Sequence, residues 1–312
     1  MKKNFFLLIH YCFKYFLETK PNDFYSIFSL YFYHYTNLYP SILSLSLNQQ
    51  GAKFCNFPKP TGTIVTSKTF FIDANGHRDF GGQRIIYNGQ KGTCNPTIPK
   101  QWESVIIIQD GGSVSNVILG ASPEGTSADI CCLGSCNLTN VYWENACWRA
   151  ASFRAPDDFN RAQKNKADGT TTGFTYIVDG GGALDGFQKI FDQNGPGRTI
   201  IKNFCTANSS IVLRTCGDCG HQYTRHVNVR NSKFIGPGLT IIGANLKYDD
   251  KVSFHNVSVF GYNDEKTRMA YACIENSGES SSFKGYAPGP RCIPPLAQVH
   301  TPLARKRPYL YI

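Results

Sequence analysis

The segment VSNVIL, Val114 to Leu119, has an apolar residue two places before Asn116 and apolar residues one and three places after it. Most of this arrangement recurs in four later segments: LTNVYW around Asn140, IKNFCT around Asn203, VRNSKF around Asn231 and FHNVSV around Asn256. The asparagines are 24, 63, 28 and 25 residues apart, and the longest interval is close to three times a shorter unit. A repeat of roughly 20 to 28 residues is typical of solenoid folds.

The repeat has a physical explanation. A strand that bends at an asparagine and continues as a second strand cannot bury its apolar face alone, whereas stacked copies form a continuous core and a column of asparagines. We therefore predict an all-β fold, a right-handed parallel β-helix, with the five asparagines at equivalent turns. Val117, Val141, Phe204 and Val257 are expected to face the interior. A β-sandwich with asparagine in its turns is the alternative, but its usual turn spacing fits less well.

Composition limits the compartment and the partners. Charged residues make up 17% of the 312-residue chain, and 29 glycines accompany the β-branched runs, which favours one large β domain. Eleven of the twelve cysteines lie between Cys55 and Cys292, which predicts a secreted, disulfide-bonded protein. The formal charge of +10 favours an anionic partner. We predict no nucleic-acid partner, because no nucleic-acid-binding motif is present.

The ends of the chain differ from its middle. Lys2 and Lys3 precede an apolar run, as in a secretory signal, and residues 24–52 contain no Asp, Glu, Lys or Arg. Tyr, His, Asn and Ser make the second stretch poorly apolar, so we do not predict a membrane anchor. We expect a signal-like leader, or a segment from an incorrect gene prediction, over residues 1–51. The β-helix domain is expected over residues 52–292, beginning near Ala52, and a proline-rich basic tail over residues 293–312.

The segment LRTCGDCGHQYTRHV, Leu213 to Val227, places Cys216 and Cys219 close to two arginines, Arg214 and Arg225. A zinc site would need further ligands with matching spacing, and a thioredoxin-like redox pair would need a βαβ context. We favour structural cysteines that form disulfides to neighbouring rungs of the solenoid. Gly217 and Gly220 would then form a tight turn that brings both arginines toward one face.

Two other segments offer groups that can carry chemistry. GFQKIFDQNG places Lys189 near aromatic residues, and a lysine whose neighbours exclude water can act as a base. An ordinary surface lysine is the alternative. ADICCLGSCNLTNVYWENACWRAASF contains Asp129 and Glu144, whose oxygens suit a hard cation such as calcium. Two carboxylates alone do not define a metal site.

Taken in order, CNFPKPTG, GGSVSNVILGA, CLGSCNLTNVYWE, DGGGA, QKIFDQNG, IKNF, LRTCGDC and QYTRHV resemble the pectate lyases of polysaccharide lyase family three. The resemblance covers roughly Ala52 to Cys292. It implies a secreted, monomeric parallel β-helix that acts on pectin.

The resemblance also implies roles for individual residues. Lys189 matches the lysine of the family block DKxFQxNG and is implied as the base that removes a C5 proton of polygalacturonate in a β-elimination. Arg214 matches an arginine that binds the substrate carboxylate, and Arg225 is expected to assist it. Calcium is the implied cofactor, with Asp129 and Glu144 as its candidate ligands here.

This chain departs from the family at several of these positions. Ile211 replaces a lysine, and Trp148 and Arg149 replace an acidic pair in the calcium block WEDVxEDA. Arg149 brings positive charge to the place where calcium is expected, so we predict weak or absent calcium dependence, with Arg149 in the role of the metal. The alternative is a non-catalytic, pectin-binding or effector-like relative with the same fold.

Overall fold

The computed structural model describes residues 47–88, 104–121, 130–156, 173–217, 219, 222–245, 248–261, 264, 266–276, 286–287 and 299–300. Contacts separate Met1–Ser44 from Leu45–Ile312 as two units. The first unit, with most of the expected leader, lies outside the described residues. So does the expected tail, except for Val299–His300, which forms a short strand.

Within the described residues, one short helix precedes the strands. Helix α1, Gln49–Phe54, is capped by the side chain of Asn48, which accepts a hydrogen bond from the backbone N–H of Gly51. The expected domain start at Ala52 therefore falls inside this helix. No helix in the described part of the chain is long and apolar enough to cross a membrane.

Nineteen strands follow within the described ranges. They are β1 Thr63–Thr66, β2 Phe70–Ile72, β3 His77–Tyr87, β4 Ile106–Gln109, β5 Gly112–Leu119, β6 Ile130–Leu133, β7 Cys136–Trp143, β8 Ala151–Arg154, β9 Phe174–Gly186, β10 Phe191–Gln193, β11 Gly197–Lys202, β12 Cys205–Ser209, β13 Ile211–Thr215, β14 Arg225–Ile235, β15 Gly238–Ala244, β16 Lys251–Phe260, β17 Met269–Asn276, β18 Tyr286–Ala287 and β19 Val299–His300.

The strands form two long sheets. Sheet A has the order β1-β3-β5-β7-β9-β11-β14-β16-β19, with β12 paired to β9 and β14, and sheet B has the order β18-β17-β15-β13-β10-β8-β6-β4-β2. Successive strands alternate between the sheets, except that β11 and β12 both lie in sheet A and β17 and β18 both lie in sheet B. The strand pairs are parallel except β17 with β18. This topology confirms the all-β parallel β-helix. A sandwich of antiparallel hairpins is excluded.

The asparagine column is present as predicted. Asn116, Asn140, Asn203, Asn231 and Asn256 all have φ between 48° and 56°, a left-handed conformation that asparagine tolerates better than most residues. The side-chain amide of Asn140 donates to Asn116 at 3.1 Å, and that of Asn256 donates to Asn231 at 3.0 Å. The four apolar residues expected inside are at most 1% exposed.

The number of rungs between Asn140 and Asn203 differs from the three repeat units that the sequence predicted. Only β9 lies between these two rungs, and its Gly180 occupies the asparagine position, with φ 74°. A Cβ atom at Gly180 would lie 2.5 Å from the side-chain oxygen of Asn140, so the column is interrupted by a residue without a side chain. The interval therefore contains two steps, and the first includes residues 157–172, which lie outside the described residues.

Aromatic rings fill the interior between the sheets. Phe153 stacks on Tyr176 and Phe191 with ring centroids 5.0 and 5.6 Å apart, and Trp143 meets Phe191 edge-on at 5.8 Å. These rings belong to one continuous buried cluster that extends along the solenoid. Because fully burying such a side chain contributes about 1.5 to 3 kcal/mol, the rings hold neighbouring rungs in place.

Disulfides fasten the solenoid. Eight of the cysteines that the structure describes are disulfide-bonded, among them the pairs Cys55–Cys205, Cys132–Cys136 and Cys216–Cys219. The prediction that most cysteines from Cys55 onward are paired is confirmed. The expected pairing of the CGDC cysteines with neighbouring rungs was wrong, because the turn brings their own Cα atoms within 5.8 Å.

Candidate active site

Ser152, Asp192 and Arg214 form a row on the outer face of sheet B. They lie opposite one another on the adjacent strands β8, β10 and β13. On each strand the preceding residue belongs to the interior cluster, and side chains alternate between the two faces of a strand. The three side chains therefore point away from the interior on neighbouring rungs.

Two turns bring further cations to this row. Arg149 lies in the turn before β8, and Lys189 lies in the turn before β10. The turns run side by side, because the backbone N–H of Ala150 donates to the carbonyl of Ile190 at 2.8 Å. Arg149 and Lys189 are each 5% exposed.

Arg149 and Asp192 form a buried ion pair. A guanidinium nitrogen of Arg149 lies 3.1 Å from a carboxylate oxygen of Asp192 and also donates to the hydroxyl of Ser152 at 3.3 Å. Burial alone would raise the pKa of Asp192, but the positive charges of Arg149, Lys189 and Arg154 hold that pKa below its ordinary value. Asp192 is thus an anion surrounded by cations.

Lys189 and Arg214, the predicted base and carboxylate-binding residue, lie on neighbouring strands or their turns. Arg214 is directly opposite Asp192 in the strand register and is 8% exposed. The ammonium of Lys189 donates to the side-chain oxygen of Gln188 and lies 5.9 Å from the ring centroid of Trp148. The structure therefore brings together the two residues that the resemblance singled out.

Arg225 lies elsewhere. It begins β14 in sheet A and is fully buried, and its guanidinium donates to the carbonyl of Asn194 at 2.7 Å and to the side chain of Gln222 at 3.0 Å. The backbone of Arg225 lies in sheet A, whereas that of Arg214 lies in sheet B. The expected role of Arg225 in substrate binding stays a prediction.

The acidic groups do not form a calcium site in the described part of the chain. Glu144 accepts hydrogen bonds from two guanidinium nitrogens of Arg84, one at 2.8 Å, and from the backbone N–H of Ala121 at 3.3 Å. Asp192 is paired with Arg149, and Asp129 lies outside the described residues. Among the described side chains, no three His, Cys, Asp or Glu residues are grouped to hold a metal. Calcium requires six to eight oxygen ligands, and this donor set does not fit it.

A family model described as pectate lyase matches residues 55–278. The chain belongs to the pectate lyase family. Among related proteins, the probable pectate lyase E of Aspergillus clavatus is 27% identical over 244 residues, covering 77% of this chain and 85% of the relative. Pectate lyase H of Emericella nidulans is 29% identical over 246 residues, covering 78% and 85%.

Solved structures of pectate lyases share the fold. The catalytic domain of PelI from Erwinia chrysanthemi superposes with a TM-score of 0.55 at 20% identity, covering 78% of this chain and 98% of that domain. Pel3 from Pectobacterium carotovorum gives a TM-score of 0.56 at 22% identity, covering 73% and 68%. A complex of PelI with tetragalacturonic acid matches at a TM-score of 0.53 and 22% identity, covering 80% and 72%.

Sequence reasoning missed Asp192 in this pectate lyase family member. The family block DKxFQxNG has glutamine where QKIFDQNG has Asp192. The missed signal was a pair of changes: the chain gains an acid at this position and has Arg149 in place of an acid in the calcium block. Only the contact between the two side chains shows that the changes compensate one another.

Proposed function

We propose that this chain is a secreted pectate lyase that cleaves polygalacturonate by β-elimination, with Lys189 as the base and no requirement for calcium. The observation that supports it most strongly is the position of Lys189 and Arg214 beside the buried Arg149–Asp192 pair. Family membership supports the reaction class. The disulfide-bonded cysteines support secretion.

The chemistry requires a base and a cation. The C5 proton of a uronate is weakly acidic, because the neighbouring carboxylate is already negative. Arg214 pairs with that carboxylate and stabilises the charge that develops in the transition state. Lys189, in its neutral form, takes the C5 proton. The electrons of the C5–H bond form a C4–C5 double bond, the C4–O bond breaks, and the departing oxygen takes up a proton.

Arg149 supplies positive charge of the kind that calcium would supply. A guanidinium can hold a carboxylate in a bidentate geometry and is always charged. Asp192 and Ser152 fix its position, so no reorganisation is needed when substrate binds. The charge reversal at position 149 also disfavours a divalent cation by electrostatic repulsion.

A second candidate function is pectin binding without catalysis. The observation that favours it is Asp192 itself, an anion close enough to Lys189 for the lysine to lower its pKa. A carboxylate in this position opposes both loss of a proton by a neighbouring lysine and entry of an anionic substrate. Ile211, in place of a family lysine, removes a further cation.

The test is the absorbance of unsaturated product from polygalacturonate, measured with added calcium and with chelator. The parent protein is expected to be equally active in both. Lys189→Ala should lower kcat by roughly 10²- to 10⁴-fold, the usual contribution of a general base. Lys251→Ala is the matched control, because Lys251 is exposed on sheet A, and its activity should be unchanged.

Arg149→Asp should reduce activity in chelator, because it leaves two acids side by side. Activity of the parent that needs calcium would contradict the calcium-independent mechanism, and activity retained in Lys189→Ala would contradict the base assignment. If the parent binds polygalacturonate but forms no product, the second candidate function, pectin binding without catalysis, is the correct one.

A further inference from the structure

Trp148 and Phe187 form an apolar surface beside Lys189. Their ring centroids are 6.0 Å apart with the planes tilted by 34°, and the backbone N–H of Phe187 donates to the carbonyl of Cys147 at 2.7 Å. The Lys189 ammonium lies 5.9 Å from the Trp148 ring. The aromatic pair thus occupies the same two turns that carry Arg149 and Lys189.

Phe187 is unusually open to solvent. It is 47% exposed, whereas Lys189, Arg149 and Arg214 are all less than a tenth exposed. In the described part of the chain, only two other large hydrophobic side chains are exposed to solvent, those of Val65 and Phe71. A pair of aromatic rings, one of them exposed, beside charged side chains combines the apolar and polar contacts that ligand sites use.

The charges beside this surface point to a substrate that is less anionic than pectate. Asp192 already neutralises Arg149 in part, and the described carboxylates do not fit a calcium ion that would bridge ionised uronates. Trp148 also stands where the family's calcium block has an acid. The surface offers apolar contact at a place where the family block offers charge.

We propose that Trp148 and Phe187 pack against the methyl-ester group of an esterified galacturonate unit, so that this chain prefers methyl-esterified pectin. The inference rests on the proposed lyase function and names its substrate class. Esterification removes the negative charge next to C5, so the proton there is more acidic and leaves without a divalent cation. The reaction is otherwise the same: Lys189 takes the proton, the C4–C5 double bond forms and the C4–O bond breaks.

The experiment compares kcat/KM for polygalacturonate and for highly methyl-esterified pectin, both in chelator. The parent should favour the esterified polymer by about tenfold or more. Phe187→Ala should lower kcat/KM for esterified pectin by about tenfold, mainly through KM, and for polygalacturonate by less than about twofold. Phe187→Tyr should retain the parent preference, because it keeps the ring. Phe71→Ala, at another exposed phenylalanine, should have no effect.

Calorimetric binding of a methyl-esterified oligogalacturonate to Lys189→Ala separates this inference from the proposed function. If the oligogalacturonate binds to Lys189→Ala and this binding is lost when Phe187→Ala is added, the result supports the aromatic subsite. Failure of the parent to cleave either polymer would contradict only the lyase function. Equal or better use of polygalacturonate, or equal losses on both polymers in Phe187→Ala, would overturn the inference and leave the lyase function standing.

Discussion

At the scale of single residues, Asp250 is a buried carboxylate that is not one of the candidate site residues. Its two oxygens accept hydrogen bonds from the backbone N–H groups of Arg225, at 2.8 Å, and Asn245, at 3.1 Å. Burial raises the pKa of Asp250 to about 6 from 3.8, although the charge of Arg225 and these hydrogen bonds oppose the rise. The folded protein therefore binds this proton more tightly than the unfolded chain does.

The sign of the pH dependence follows from the raised pKa. The contribution of Asp250 to stability is fully present below pH 3.8 and is lost as the pH rises through about 6. The difference in unfolding free energy between the parent and Asp250→Asn should therefore fall by roughly 2 kcal/mol between pH 4 and pH 7. Urea unfolding at both pH values measures it. Asp73→Asn, at an exposed carboxylate, is the control, and a pH-independent difference for Asp250→Asn would refute the prediction.

At the scale of elements, the five asparagines of the column each place a bend of sheet A in a left-handed conformation. Asn140→Ala removes the hydrogen bond to Asn116 and puts alanine, which disfavours a positive φ, at φ 52°. Asn140→Gly removes the same hydrogen bond, but glycine adopts this angle without strain. We expect Asn140→Ala to cost about 2 kcal/mol of unfolding free energy, and about 1 kcal/mol more than Asn140→Gly. Chemical denaturation of both variants measures the difference. Equal losses would mean that the backbone angle is not under strain.

At the scale of the whole molecule, the disulfides differ in the length of chain that they close. Cys55 and Cys205 are 150 residues apart, whereas Cys132 and Cys136 are four apart, and all four are buried. Replacing the first pair by alanines should cost about 5 kcal/mol and replacing the second about 2 kcal/mol, because the longer loop restricts the unfolded chain more. Denaturation of the two double variants under non-reducing conditions tests this. Similar losses would show that packing at the cysteines, rather than loop length, sets the cost.

The amino-acid sequence was sufficient to predict the architecture, and it singled out Lys189 and Arg214 as candidate site residues. The asparagine repeat predicted the parallel β-helix because the bend is local, recurs with each rung and needs a residue that tolerates a positive φ. Lys189 and Arg214 became candidates because each lies inside a short block whose order matches the family. The ion pair between Arg149 and Asp192 joins two neighbouring rungs, and no short block of sequence indicates it.

Which charged side chains contact one another follows from the stacking of the rungs and not from the local sequence. Arg149 and Asp192 are 43 residues apart, and Arg84 and Glu144 are 60 apart, yet each pair lies on neighbouring parts of the solenoid. Such contacts depend on the number of residues in every intervening rung, and this chain's rungs vary, with Gly180 in place of an asparagine. The fold arises from a pattern that each rung repeats, whereas the charge balance of the site arises from side chains that only stacking brings within a few ångströms.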